Sequence, residues 1–208
     1  MSGSGKISME TIVDVALRGV AVAWKKYYEI TGEWLWAAPE YYLTSKIFES
    51  LGKAGVWVTL EEDMNNNIAY SNSCRPGRYP KRLTQNKRSD LSIWWKDGTL
   101  RGIVEVKVLR SSNYKPLEKD VHRICDLLNL KRDSTVQFGM IVAYTDRCSG
   151  RTKSSKERVE EVIGNVEKLI DKVAGTKLSN PSFIKDSLIK TVRDEDSSWG
   201  ALACIIKR

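Results

Sequence analysis

Histidine and closely spaced cysteines are almost absent from this chain of 208 residues. His122 is the single histidine, and the four cysteines are scattered along the chain without a CxxC pair. Because a structural zinc site needs closely spaced cysteine and histidine ligands, we expect none. We expect buried free thiols in a reducing compartment instead. The cysteines are Cys74, Cys125, Cys148 and Cys204.

The sequence also lacks a long apolar run. No stretch approaches the ~20 apolar residues that a membrane span requires, and the first residues carry no apolar segment of signal-peptide length. We therefore expect a cytoplasmic protein. Residues 1–7, rich in serine and glycine, are predicted to form a flexible tail, and residues 8–208 are predicted to form one domain.

Acidic residues are absent from residues 64–89, although the chain as a whole carries many and has a net charge of +8. This segment contains two prolines, several asparagines and six basic residues, so it is predicted to be a basic loop insertion. The excess of positive charge favours a nucleic-acid partner. The alternative is a basic loop that binds nothing. The residues expected to contact phosphates are Arg75, Arg78, Lys81, Arg82, Lys87 and Arg88.

Apolar periodicity predicts a protein of the α/β class. The predicted helices cover residues 8–29, 39–52, 114–130 and 154–174, the last ended by Gly175. The predicted strands cover residues 56–60, 90–95, 100–108, 136–144 and 199–206. A central hairpin followed by a helical crossover implies a mixed central β-sheet flanked by helices.

The turn residues of the central hairpin predict how its two strands pair. Asp97-Gly98 between two apolar strands is typical of a two-residue turn, from which the pairing can be counted outward. The pairs predicted in this way are Trp95 with Leu100, Ile93 with Gly102, and Asp90 with Glu105.

Two opposed carboxylates repel each other and destabilise a sheet, and a divalent cation such as Mg²⁺ would offset that repulsion. Lys107 lies two residues beyond Glu105 and so shares its face of the sheet. The alternative is that Glu105 and Lys107 lie on an exposed edge and pair with surface charges.

Asp90, followed after a hairpin by Glu105-Val106-Lys107, resembles the motif of the PD-(D/E)xK nuclease superfamily, which includes restriction endonucleases and many repair and phage-defence nucleases. The resemblance extends to the element order of residues 39–144, whereas Ser89 replaces the proline of the motif. It implies a restriction-endonuclease-like α-β-β-β-α-β core. It also implies a DNA endonuclease that uses Mg²⁺, or Mn²⁺ in its place, in restriction or phage defence.

The resemblance implies that Asp90 and Glu105 ligate the metal ion and that the carbonyl of Val106 adds a ligand. Lys107 would position the attacking water, help to deprotonate it, or hold the phosphate.

The superfamily often adds a glutamate from the helix before the first core strand. Glu40 shares the inward stripe of Leu43 and Ile47, whereas Glu49 is nine positions further on, about half a turn around the helix. We therefore predict that Glu40 joins the site. The alternative is a carboxylate at the helix start that the helix dipole favours.

The third predicted helix carries further basic side chains. We expect them to form a solvated face with acidic residues interleaved, and the alternative is that they contact a phosphate backbone. These basic residues are Lys115, Lys119, His122 and Arg123.

Other functions remain open at this point. The chain would also suit a catalytically silent nucleic-acid-binding module, a nuclease subunit of a larger complex, or an RNA-directed nuclease or toxin. A homodimer or a partner subunit would be compatible with any of these.

Overall fold

The computed structural model describes residues 7–74, 79–84, 87–131, 133–192 and 196–208, and only the backbone of residue 82. Within them the strands are β1 Trp57–Leu60, β2 Leu91–Trp94, β3 Leu100–Val108, β4 Phe138–Cys148, β5 Ser182–Thr191 and β6 Ser197–Lys207. The helices are α1 Met9–Thr31, α2 Glu40–Lys53, α3 Met64–Ala69, α4 Lys81–Thr84, α5 Lys115–Leu128 and α6 Ser155–Lys177. A 3₁₀ turn covers Leu35–Ala37.

The described strands form one open sheet in the order β1-β2-β3-β4-β6-β5. Neighbouring strands are antiparallel except β3 and β4, which are parallel. Because parallel neighbours need a crossover connection, the chain inserts α5 between β3 and β4. The predicted α/β class, with a mixed sheet and flanking helices, is confirmed.

Helices cover both faces of the sheet. The apolar sides of α1 and α2 pack on one face, and those of α5 and α6 pack on the other. Along β3, Val104 and Val106 belong to the core under α1 and α2, whereas Ile103 belongs to the core under α5 and α6. Since side chains alternate along a strand, Glu105 points towards α5.

Close packing of α1 against α2 fixes the start of α2 near the end of β3. A Cβ atom added at Gly19 would lie 2.9 Å from the backbone Cα of Ile47, so α1 approaches α2 more closely than any other residue type allows. Helix α2 begins at Glu40, directly after Pro39. The helix pair therefore determines where Glu40 is presented.

The predicted loop over residues 64–89 is wrong in part, because α3 and α4 lie within it. The side chain of Asp63 caps α3 by accepting the backbone N–H of Asn65. Met64 and Ile68, four residues apart, are buried against the core, as is Leu83 of α4. Both helices are too short for their periodicity to be recognised in the sequence.

Two further expectations about the last third of the chain are wrong. Strand β5 was not predicted, because it is an edge strand in which Lys185, Asp186 and Lys190 interrupt the apolar alternation. Gly175 does not end α6, which continues to Lys177. Gly175 is not among the glycines with positive φ, so it never adopts the left-handed conformation that terminates a helix.

All four cysteines are free thiols, as expected, but only two of them are buried. Cys125 and Cys204 lie in the core, and burial raises the pKa of Cys204 to about 12. Cys74 and Cys148 are exposed, so the expectation of burial is wrong for them. No helix in the described part of the chain is long and apolar enough to cross a membrane.

Replacement of Gly19 by alanine tests the packing of α1 on α2. Alanine normally stabilises a helix interior by about 0.5–1 kcal/mol relative to glycine. At Gly19 we expect the opposite sign, a loss of about 1–3 kcal/mol in the free energy of unfolding, because the new methyl group meets backbone. Urea unfolding followed by circular dichroism measures the change.

Gly164→Ala is the matched control, since a Cβ atom at Gly164 of α6 would meet nothing within 4 Å. It should show the ordinary stabilisation. If both substitutions stabilise the protein equally, the close approach of α1 to α2 is not present in solution.

Candidate active site

The hairpin before the site has a three-residue turn, not the predicted two-residue turn. The N–H of Trp95 donates to the carbonyl of Thr99 at 2.8 Å, and the N–H of Gly98 donates to the carbonyl of Trp95 at 3.0 Å. Gly98 has φ +81°, the left-handed conformation that such turns require. A bulge between Ile93 and Trp94 then pairs Leu100 with Trp94, so the predicted pairing of Trp95 with Leu100 is wrong.

The bulge restores the predicted register towards the site. Ile93 pairs with Gly102 as predicted, and Leu91 pairs with Val104. Continued by one residue, this register sets Asp90, which lies just before β2, opposite Glu105. The carboxylate of Asp90 accepts the backbone N–H of Val106 at 2.7 Å, so Asp90 is held against β3 directly beside Glu105.

A buried polar network that the sequence did not indicate holds the segment around Asp90. Asn67 of α3 donates to the hydroxyl of Ser89 at 3.0 Å and accepts from the hydroxyl of Ser92 at 2.9 Å. The two serine hydroxyls are 2.8 Å apart. Since all three side chains are fully buried, the network fixes the chain on both sides of Asp90.

Lys107 is the centre of the polar cluster. Its ammonium group lies 3.0 Å from a carboxylate oxygen of Glu40, 3.3 Å from Asp120 and 3.8 Å from Asp90. It also donates to the carbonyl of Val106 at 2.8 Å. Three acidic residues from three different parts of the chain therefore surround one lysine.

Glu40, not Glu49, is the glutamate of α2 that reaches the cluster. One of its oxygens accepts Lys107, and the other accepts the backbone N–H of Val108 at 3.0 Å. Glu49 pairs with Lys46 on the same helix at 2.7 Å. Glu40 therefore binds both the side chain and the backbone at the end of β3.

Glu105 is fully buried and forms a two-point ion pair with Arg123 of α5. Nε of Arg123 lies 3.0 Å from one oxygen of Glu105, and Nη2 lies 2.5 Å from the other. Nη2 is also 2.8 Å from Asp120, and both Asp120 and Arg123 are buried. The expectation that Arg123 belongs to a solvated face is therefore wrong: a buried carboxylate on β3 needs a cation, and α5 is the next element in the chain.

Burial and neighbouring charges together shift the pKa values of the cluster. Burial raises the pKa of Glu105 to about 8, and although Arg123 opposes this, Asp90 and Asp120 add to it. Burial also raises the pKa of Asp90. For Lys107, burial lowers the pKa, but the carboxylates of Asp120, Asp90 and Glu40 outweigh burial and raise it overall, so the amine remains protonated.

The cluster combines carboxylate oxygens with a backbone carbonyl and has an excess of negative charge. Four carboxylates face two cations, which leaves two negative charges when all are ionised. Carboxylate and carbonyl oxygens are the ligands that Mg²⁺ prefers. In the described part of the chain, no three acidic, histidine or cysteine side chains are placed to hold a metal ion together. An ion held by Asp90, Glu105 and the carbonyl of Val106 would therefore keep several water or phosphate ligands, as Mg²⁺ commonly does.

A cavity of about 440 Å³ gives access to the cluster. Lys107, Asp120 and Arg123 form its inner wall, and Lys87 and Lys119 line it as well. Both of these lysines are exposed, and Asp120 is the carboxylate of the cluster that lines the cavity. Lys87 is the one predicted phosphate contact that the structure brings to the cluster within the described residues.

The remaining predicted phosphate contacts are placed differently. Arg88 pairs with Glu61 at 3.3 Å, and Lys81 is the exposed first residue of α4. Arg75, Arg78 and the side chain of Arg82 lie outside the described residues.

Comparison of the chain with protein-family models, with curated proteins and with solved structures finds no match in any of the three. The chemistry of the side chains described above is therefore the basis for assigning a function.

Removal of the arginine of the buried ion pair tests the cluster directly. Arg123→Ala leaves Glu105 without a cation in the core, and we expect a loss of about 3 kcal/mol or more in the free energy of unfolding. The matched control is Arg18→Ala, which breaks the exposed pair with Asp14 on α1 and should change stability by no more than about 0.5 kcal/mol. Equal effects of the two substitutions, measured by urea unfolding, would contradict the buried pair.

Proposed function

We propose that the protein is a metal-dependent nuclease of the PD-(D/E)xK type that hydrolyses phosphodiester bonds of DNA. One observation carries the proposal: carboxylates of Glu40, Asp90 and Asp120 lie within 3.8 Å of the ammonium group of Lys107. Glu105 is two residues away on the same strand. A lysine among carboxylates at the end of a central strand is the arrangement that the motif requires.

The order of the elements supports this proposal. From α2 the chain continues through β1, β2, β3, α5 and β4, which corresponds to the α-β-β-β-α-β core of restriction-endonuclease-like proteins. The short helices α3 and α4 are an insertion between β1 and β2. The insertion supplies Asn67, whose hydrogen bonds fix the segment that carries Asp90.

Asp90, Glu105 and the carbonyl of Val106 are the groups that would hold Mg²⁺ or Mn²⁺. When bound, the metal supplies Lewis-acid activation of a water molecule and stabilises charge on the scissile phosphate. Arg123 orients Glu105 by donating a hydrogen bond from Nε to one of its carboxylate oxygens at 3.0 Å. Asp90 is oriented by the N–H of Val106.

Lys107 acts as a charged hydrogen-bond donor in this proposal. It donates to Glu40 and to the carbonyl of Val106, and Asp120, Asp90 and Glu40 raise its pKa. It therefore holds the phosphate or the attacking water by donating a hydrogen bond. Glu40 is a positioning residue, because it binds the Lys107 ammonium group and the adjacent backbone.

A nucleic-acid-binding module without catalysis is the second candidate. The two-point pairing of Arg123 with Glu105 favours it, because a carboxylate engaged by a guanidinium has less capacity to bind a metal ion. The two candidates differ in whether the protein cleaves its ligand.

Cleavage assays test the proposal. Purified protein is incubated with plasmid, linear duplex, single-stranded DNA and RNA in the presence of Mg²⁺, Mn²⁺ or EDTA. We expect metal-dependent cleavage of DNA, and we expect Asp90→Asn and Lys107→Ala each to lower its rate by about 100-fold or more, because the first removes a metal ligand and the second removes a positive charge at the phosphate.

Helix α2 offers an internal control. Glu40→Gln should lower the rate by about tenfold, as is common when a residue that orients a reactive group is replaced. Glu49→Gln, on the same helix but outside the cluster, should leave the rate unchanged. Cleavage that persists in EDTA or in the Asp90 variant would contradict a metal-dependent active site at this cluster. Salt-sensitive binding without cleavage would favour the binding module.

A further inference from the structure

A second cavity, of about 370 Å³, lies at the carboxyl end of β4. We call it the arginine–tryptophan cleft; its defining residues are Trp34, Trp36, Arg110, Arg147 and Arg158, with Asp146 beside them. Its volume lies within the range of about 300–1,000 Å³ that is usual for ligand sites. None of these residues has a role in the carboxylate cluster.

The arginines of the cleft are held by backbone carbonyl groups and not by carboxylates. Arg110 donates to the carbonyls of Trp36 and Ala38, both at 2.8 Å. Arg158 donates to the carbonyl of Cys148 at 2.6 Å. These bonds fix the direction of each guanidinium group and leave its charge in place.

Arg147 is held in the same way, by the carbonyls of Leu109 and Asp146. In the part of the chain that the structure describes, no carboxylate lies within 4.0 Å of any of the three guanidinium groups. Asp146 is the acidic residue among the lining side chains, and its carboxylate accepts the hydroxyl of Tyr144 at 2.9 Å. Three positive charges against one negative charge make the cleft complementary to an anion.

The tryptophans give the cleft an aromatic wall. Trp34 contacts Trp24 edge-on at 6.2 Å, and Trp24 stacks on the buried Trp199 at 5.3 Å, so Trp34 is supported by the core. Trp36, in the 3₁₀ turn of residues 35–37, lines the cleft and is 49% exposed, so a ligand in the cleft can reach it. An exposed aromatic ring beside arginines is the combination that binds single-stranded nucleic acid, through base stacking and phosphate contacts.

The chain connects the cleft directly to the carboxylate cluster. Ala38, whose carbonyl binds Arg110, is two residues before Glu40. Arg110 is three residues after Lys107, a distance of about 10 Å at ~3.3 Å per residue of extended chain. Since β3 and β4 are parallel, their carboxyl ends lie at the same edge of the sheet, where ligands of α/β proteins usually bind.

We propose that the arginine–tryptophan cleft binds a nucleotide of the substrate strand next to the phosphate that is cut. Its base stacks on Trp36, and its phosphate is held by Arg110, Arg147 and Arg158. The proposal rests on the proposed nuclease function, because it is the cluster beside the cleft that defines which phosphate is cut. A stacked base has to be unpaired, so the cleft selects a strand that is single or locally opened.

Binding in EDTA tests the cleft separately from cleavage. Fluorescence anisotropy is recorded with short fluorescein-labelled oligodeoxythymidylate and oligouridylate over a series of salt concentrations. We expect Trp36→Ala to weaken binding of the preferred probe by about tenfold, and Trp36→Phe to restore most of the affinity, because stacking needs only an aromatic face. Arg158→Gln should reduce the slope of log affinity against log salt by about 0.7, the value for one phosphate contact in a single strand.

Trp57→Ala and Arg18→Gln are the matched controls. Trp57 is a similarly exposed tryptophan on β1, and Arg18 is exposed on α1; neither lines the cleft. Both controls should bind like the wild-type protein. The proposed binding at the cleft would be overturned if Trp36→Ala binds like Trp57→Ala and Arg158→Gln has an unchanged salt slope. It would also be overturned if the wild-type protein binds neither probe.

The two proposals fail in different ways. Binding that depends on Trp36 in a protein that never cleaves would support the cleft and contradict the nuclease. Cleavage that depends on Asp90 in a protein whose binding ignores Trp36 would support the nuclease and contradict the cleft.

Discussion

Four carboxylates and two cations share a small volume at the end of β3, and the unequal charge between them constrains the whole site. Lys107 is surrounded by acidic groups, and Arg123 binds Glu105 in the core. Burial raises the pKa of Glu105 and that of Asp90, and the neighbouring carboxylates add to the effect of burial. A divalent cation would supply the missing charge, and the proposed chemistry depends on that deficit.

The fold assembles the cluster by bringing distant segments of the chain to one edge of the sheet. The close contact of α1 with α2 at Gly19 sets where α2 begins and so where Glu40 lies. The network of Asn67 with its two serines holds the segment of Asp90. The parallel crossover returns the chain through α5, which carries Arg123 to the buried Glu105. The same edge also carries the arginine–tryptophan cleft.

Local pattern was enough to predict the sheet, the order of most elements and the placement of Asp90 beside Glu105. The count from the hairpin reached the right pairing through two errors that cancel, since the three-residue turn and the bulge at Ile93 shift the register in opposite directions. The role of Arg123 was missed because its burial depends on tertiary packing, which places it against Glu105 of β3. Strand β5 was missed because its charged residues hide the alternation of an edge strand.

Binding of Mn²⁺ to the metal-free protein is the most direct test of the central claim that the cluster needs a divalent cation. The electron paramagnetic resonance signal of free Mn²⁺ is recorded as the ion is added to the wild-type protein and to Asp90→Asn. The account predicts that the wild-type protein binds Mn²⁺ and that the substitution weakens binding by about tenfold or more, because one of few carboxylate ligands is lost. A wild-type protein that binds no Mn²⁺, or equal binding by both proteins, would contradict it.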